Sequence, residues 1–458
     1  MKNFLAPLAL ASLLTIAAPL HAQPSQAERL RDAALKDDEV ALDIVEGLTT
    51  EVGPRLAGSE AEARARTWAV ARLKALGFRN VHIEEYRMPT WLRGAETAEI
   101  VGPYPQKLAI AALGHSGATP PDGITAEVVG FDDVAELEAA PESKVRGKIV
   151  FVSHAMKAAQ DGSSYGYYGP VRRSAPRIGA QKGALAVIIR SLGTDYHRNP
   201  HTGLTSWQGV TPIPAAALSI PDAENLARML ERDRPVTMRL LLTPRFVGEQ
   251  VSGNVVAEVP GTDPDAGIVL IGGHLDSWDL GTGAVDNAAG VAITAAAAKR
   301  IMESGRPRRT IRVVWFGSEE VGGFGSTAYR AAHKDENIVF VAESDFGADR
   351  VWRMDSSLTP ENKPIADRIA ALLFPLGITR GTAPATAGAD LGAWARAGVA
   401  AIDLQQDGTR YFDLHHTPDD TFDKVDPGQL RQNVAAWTAM LAVLANAREP
   451  IEKLPPRP

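Results

Sequence analysis

Apolar positions along this chain recur with two periods, and the alternation between them predicts its elements. Residues Asp38–Leu76 read as helical with a break near Gly53-Pro54, and within Ser59–Leu76 apolar and alanine positions return at helical spacing. Gly77 is placed to close that helix, and Val81–Tyr86 follows as a strand. From about Lys107 to Thr243 the texture changes. Strand-like pieces at Thr125–Gly130, Gly147–Ser153 and Ala184–Ile189 are separated by Gly, Pro and helical stretches such as Arg172–Lys182 and Pro221–Glu231. After Val247 strands and helices alternate. Asn254–Val259, Gly267–Gly272, Thr310–Phe316, Ile338–Glu343 and Val399–Leu404 read as strands, Asn287–Ser304 as an alanine-rich helix and Pro427–Arg448 as a closing helix. This pattern predicts an α/β fold, with a mixed, mostly parallel sheet sandwiched by helices, and ligands in such sheets sit at the carboxyl ends of strands.

Length turns this pattern into domains. The 458 residues exceed one ordinary core. Residues 23–106 and 248–458 are expected to form one domain, interrupted by an insert over 107–247. The charged fraction of 22% and the apolar fraction of 45% are those of a globular chain, and a net charge of −7 without a basic run excludes nucleic acid as an expected partner. There are no cysteines, so a metal would have to be held by His, Asp or Glu. At the N-terminus, Lys2 and Asn3 precede an apolar run from Phe4 to Leu20 that ends at His21-Ala22-Gln23. This is the layout of a signal peptide over residues 1–22, and it predicts export to the periplasm or the medium. No other run reaches ~18 apolar residues, so no membrane partner is expected after signal removal.

Metal-competent side chains follow three successive predicted strands. Gly267–Gly272 leads into His274 and Asp276, and Asp286 follows at the start of the alanine-rich helix. Thr310–Phe316 leads into Glu319-Glu320, and Ile338–Glu343 into Ser344-Asp345. Near the C-terminus, Tyr411–Asp420 contains His415 and His416. Imidazole with carboxylate suits Zn2+, and also Mn2+ or Co2+. Two histidines and three carboxylates exceed one open catalytic site but fit two ions sharing a carboxylate, a geometry that activates water and polarises a carbonyl. In Glu319-Glu320 one acid can reach a metal while its neighbour faces the substrate. Asp276 is expected to orient the His274 ring. Taken singly, each residue has an ordinary reading: His274 as a hydrogen-bonded surface group, Asp286 as a helix cap, Glu319-Glu320 as a solvated helix start. Their joint placement at strand ends is what points to a site.

The ordered set His274-x-Asp276, Asp286-Asn287-x-x-Gly290, Glu319-Glu320, Ser344-Asp345 and His416-x-x-x-Asp420-Thr421 resembles the co-catalytic zinc aminopeptidase and glutamate carboxypeptidase family. The resemblance covers nearly all of the chain after the leader, including His201-Thr202-Gly203, and the insert is similar to a protease-associated domain. It implies two zinc ions. His274 and Asp345 would hold one, Glu320 and His416 the other, and Asp286 would bridge them. Glu319 would take a proton from the attacking water and pass it to the leaving amine. His415 competes with His416, and the spacing to Asp420-Thr421 favours His416. Short peptides as substrates and a homodimer are further implications.

Two motifs are decoys. Gly162-Ser163-Ser164-Tyr165-Gly166 matches the serine-hydrolase elbow but lies in a Gly/Tyr-rich loop of the insert without the required strand and helix. Gly281-Thr282-Gly283 has Asp286 where a dinucleotide phosphate would approach. Dipeptidase or carboxypeptidase action requires a cation for the substrate carboxylate, with Arg172, Arg173 and Arg410 as candidates. Aminopeptidase action requires an acid, and a catalytically inactive binding homologue is the remaining alternative.

Overall fold

The computed structural model describes residues 23–232 and 234–457, and the expected signal peptide lies outside them. Eight strands build the first sheet: β1 (Arg79–Leu92), β2 (Arg245–Val259), β3 (Ile268–His274), β4 (Thr310–Phe316), β5 (Ile338–Glu343), β6 (Val351–Ser357), β7 (Thr379–Arg380) and β8 (Ala400–Gln406). Their spatial order is β1-β2-β4-β3-β5-β8-β6-β7. The central four, β4, β3, β5 and β8, run parallel, whereas β1 with β2, β2 with β4, and β8 with β6 are antiparallel. The mixed α/β architecture agrees with the pattern of the sequence. The long β1–β2 pairing was legible only in part, because Pro89 interrupts the second half of β1 and the first half of β2, Arg245–Val251, is exposed or half exposed.

Alternate residues of the central strands serve two cores. Val269, Ile271, Val313 and Trp315 pack with the helices Ala289–Glu303 and Pro427–Leu444, while Leu270, Val314 and Phe316 pack with Tyr329 and Trp394 on the other face. Burial on both faces explains why these strands read as continuous apolar runs. The helix Ala289–Glu303 is buried from Ala289 through Ala298, and its alanines let the backbone lie close against β3.

The second sheet is also eight-stranded. It starts earlier than the expected boundary at residue 107. Glu96–Gly102 belongs to it, pairing with Gln106–Leu108 and with Thr237–Leu242. Only Ala98 and Ile100 of that strand are buried, too short a signal to stand out. At the other boundary, β2 of the first sheet already begins at Arg245. Parallel strands Ile124–Phe131, Ile149–Val152, Ala186–Arg190 and Ala215–Leu218 form the middle of the second sheet. The helix expected at Arg172–Lys182 is two short ones, Pro170–Arg173 and Ala175–Gln181, separated at Ser174. This break bears on the site, because both arginines end the first piece.

Candidate metal centre

The parallel strands deliver their carboxyl ends to one edge. His274 is the last residue of β3, with a 1% exposed ring. Its Nδ1 lies 2.9 Å from the main-chain carbonyl of Asp276 and its Nε2 faces outward, 3.1 Å from Asp286 Oδ1 and 3.1 Å from Asp345 Oδ1. The expected orienting partner is therefore present, but mainly through its backbone. The Asp276 carboxylate lies 3.5 Å away and accepts the Glu319 N–H at 3.2 Å.

Asp286 sits in a tight non-α turn before the alanine-rich helix, so it is not that helix's cap. The segment is held by Asp420, whose two oxygens accept the N–H groups of Val285 (2.7 Å) and Asp286 (3.1 Å). Burial, and then the nearby Asp286 charge, push the Asp420 carboxyl up to about 7. Arg55 braces the same region. It is fully buried and donates to the carbonyls of Leu275 (2.5 Å), Thr282 (2.6 Å) and Gly283 (2.9 Å). Burial lowers its pKa to about 10, against the pull of Asp420.

The Asp286 carboxylate faces both ways. Oδ1 meets His274, whereas Oδ2 lies 3.2 Å from His416 Nε2 and 3.2 Å from His415 Nε2. His416 Nε2 is also 2.7 Å from Glu320 Oε2, and Glu320 Oε1 accepts the Trp278 N–H at 2.8 Å. His415 and His416 leave a short helical turn together. His416 adopts φ 58°, which brings the two rings to one side with centroids 3.6 Å apart.

Charge crowding is severe. Burial, followed by Asp345, holds the Glu319 carboxyl well above the usual range. Burial raises Asp345 and Glu320 as well. Burial opposes charge on His274, but Asp345 and the other acids outweigh it and hold its pKa well above that of a free imidazole; Glu320 does the same for His416. Asp286 is held well below its usual value, burial notwithstanding, by His415, His274 and His416. Its buried Oδ2 accepts no well-directed hydrogen bond despite the two imidazoles nearby. A cluster of buried carboxylates and outward-facing imidazole nitrogens with such an orphaned oxygen fits a divalent cation.

The inserted part of the chain supplies the opposite wall; the sequence marked His201-Thr202-Gly203, Arg172 and Arg173 but not their contacts with His416. The Thr202 carbonyl lies 3.2 Å from His416 Nδ1, and the His201 ring stacks on His416 at 5.3 Å. Gly203 makes this approach possible. It has φ +126°, and a Cβ there would fall 2.7 Å from His416 Nδ1 and inside the Arg172 guanidinium. Trp278 stacks on His416 from the other side and donates its indole N–H to Thr202 Oγ1. Tyr165, the fourth residue of the decoy serine motif, stacks on Phe412 at 4.6 Å and sets its ring edge-on to His415. Tyr165 also lines a half-open cavity of about 330 Å³, together with Asp286, Glu319, Glu320, Asp345, Arg172 and Arg173, among others. Arg410 is absent from this lining. It makes a two-pronged pair with Asp349 at 2.7 Å and is corrected from a substrate group to a surface one. The glycines of the Gly281-Thr282-Gly283 motif serve packing, Gly281 beneath the Thr417 carbonyl.

Residues 254–441 match the model of peptidase family M28. Carboxypeptidase Q of Bos taurus is 36% identical over 407 residues, which is 88% of this chain and 84% of that protein. The chain belongs to peptidase family M28. The crystal structure of a peptidase M28 precursor from Shewanella amazonensis superposes with TM-score 0.91 at 44% identity, covering 94% of this chain and 98% of the other. BSAP, a zinc aminopeptidase from Bacillus subtilis, shares the fold at TM-score 0.67 and 19% identity, over 90% of this chain and 97% of its own. This M28 member is a peptidase. Among the described residues no helix is long and apolar enough to cross a membrane.

Proposed function

We propose that the chain is an exported exopeptidase using two zinc ions to cleave dipeptides and other short peptides, as a dipeptidase or carboxypeptidase. The observation that carries the two-ion reading is the Asp286 carboxylate. Its oxygens face different histidines, Oδ1 toward His274 with Asp345, Oδ2 toward His416 with Glu320. A carboxylate between two such pairs is suited to bridging. His274 and Asp345 then hold one ion, Glu320 and His416 the other. His416 is favoured over His415 because it alone of the two meets Glu320 as well as Asp286. When bound, the ions supply a water of lowered pKa and a Lewis acid for the scissile carbonyl.

The chain's own groups do the rest. Glu319 lines the cavity without lying among the Asp286 contacts, and burial next to acids gives its carboxylate a strong hold on a proton. It is the base that receives the proton of the attacking water and returns it to the leaving amine. Its backbone is anchored on the Asp276 carboxylate, which is why Asp276 serves both His274 and the base. The Thr202 carbonyl and Arg172 Nη1 both lie 3.2 Å from His416 Nδ1; a zinc on Nε2 would require Nδ1 to carry its proton and donate it to the carbonyl.

We further read the inserted sheet as a protease-associated-like module that closes the site, supported by the contacts of Thr202 and Tyr165 with the histidines. Carboxypeptidase Q as a relative supports action from the carboxyl end. The test is an assay of the zinc-loaded mature protein on dipeptides blocked either at the amine or at the carboxylate. Blocking the carboxylate is expected to abolish turnover; loss of turnover on blocking only the amine supports an aminopeptidase instead.

A further inference from the structure

The cavity holds two arginines on adjacent positions, and their surroundings differ. Arg172 is 6% exposed and turned toward the histidines, with its Nε left without an acceptor and no carboxylate paired with it among the described residues. Its Nη1 donates to the Thr202 carbonyl at 2.7 Å, beside His416, and its guanidinium lies 5.4 Å from the centre of the Tyr165 ring. It positions the wall behind His416. Arg173 is half-buried in the same lining, yet among the described residues no carboxylate comes within ion-pair distance of it and no group accepts a hydrogen bond from its guanidinium. Its electrostatic neighbours are Arg172, which repels, and Tyr165. The remaining ionisable groups of the lining are the acids and histidines of the metal centre. A half-buried guanidinium without a protein partner, facing a cavity lined by acids and imidazoles, offers a binding point for an anion.

Resting on the peptidase reading above, we propose that Arg173 is the specificity-determining residue that receives the free α-carboxylate of the substrate's C-terminal residue. The planar guanidinium can engage both carboxylate oxygens. Because Arg173 belongs to the insert and Glu319 follows β4 of the first sheet, the carboxylate anchor and the base come from different parts of the chain. The cavity volume of about 330 Å³ is near the lower end of ligand pockets, ~300–1,000 Å³, and suits a short peptide. A free carboxylate bound close to the scissile bond, in so small a space, defines a dipeptide-sized substrate.

The experiment compares Arg173→Gln and Arg173→Lys with wild type, all zinc-loaded. A dipeptide with a free carboxylate is measured against its C-terminal amide, with zinc content and thermal midpoint as controls for folding. In wild type the free acid is expected to be preferred. In Arg173→Gln that preference, as a ratio of kcat/KM values, is expected to fall about 10- to 100-fold, mostly through KM on the free acid, with partial recovery in Arg173→Lys. A merely structural role would lower both substrates together and leave the ratio unchanged, and that result overturns the proposal. So does a wild type indifferent to the amide. If wild type cleaves neither peptide, the peptidase reading falls with it, whereas cleavage with an unaltered ratio in Arg173→Gln overturns the Arg173 assignment alone.

Discussion

Glu319 and Glu320 are neighbours in sequence with separate tasks. Glu320 is committed to His416 on one oxygen and to the Trp278 N–H on the other, whereas Glu319 is anchored only by its backbone and its carboxylate faces the cavity. Glu319→Gln keeps the shape but removes the proton carrier. It should retain zinc and lower kcat by about 10²–10⁴-fold, read by steady-state kinetics alongside metal analysis. Asp286→Asn should do the opposite, weakening metal retention at both sites by more than about 100-fold, since ligand loss exceeds the 10- to 100-fold cost of losing an outer partner. Equilibrium dialysis against zinc checks it, and one site left at wild-type affinity would contradict bridging. These five candidate ligands were legible in the sequence because each follows an apolar strand or a spaced motif. The choice between His415 and His416 was less so, since both rings reach Asp286 Oδ2 at 3.2 Å and only Glu320, nearly a hundred residues away, separates them.

At the scale of elements, three segments meet at the centre without carrying any chemistry of their own. Thr202-Gly203 of the insert touches His416, Asp420 fixes the turn bearing Asp286, and Arg55 ties the loop after β3 to the turn at Gly283. Thr202-Gly203 and Asp420 stand in motifs of the family resemblance, but nothing in the local pattern marks Arg55. Arg55 follows a Gly-Pro break that reads as a turn, and its burial arises from contacts more than two hundred residues away. The inserted strand Glu96–Gly102 was hidden for a similar reason, its partners lying at Thr237–Leu242. By contrast β3, β4 and β5 were legible because burial on both faces makes them apolar without interruption. Gly203→Ala forces a side chain into a left-handed position against His416 and Arg172. It should cost about 1–3 kcal/mol of stability and depress activity by moving the Thr202 carbonyl, both measurable by denaturant titration and kinetics. Arg55→Met leaves three buried carbonyls without their donor, at about 1–3 kcal/mol each if unsatisfied. A loss of less than about 1 kcal/mol would show that the site does not depend on this brace.

For the whole molecule, metal and protons compete for one cluster. Without metal, His274 holds a proton above the ordinary histidine range, and a second proton resides between His416 and Glu320 whichever of the two carries it. The sign follows. The stability that His274 gains from its acid partners is fully present below the pKa of an unfolded histidine, ~6.5, and is lost as pH rises through its raised folded value. Zinc requires neutral imidazole and ionised carboxylate, so binding must expel these protons and tighten as pH rises. Calorimetric titration of the metal-free protein with zinc, in buffers of different ionisation enthalpy, should report net proton release near neutral pH; proton uptake would contradict the description of the cluster.

The central claim is that Asp286 stands between two zinc ions with separate partners. Anomalous diffraction at the zinc edge, from crystals of the zinc-loaded protein, tests it most directly. Two peaks are predicted, one on the Oδ1 side of Asp286 with His274 and Asp345, the other on the Oδ2 side with Glu320 and His416, and Glu319 at neither. A single peak, or a second ion held by His415 in place of His416, would contradict it.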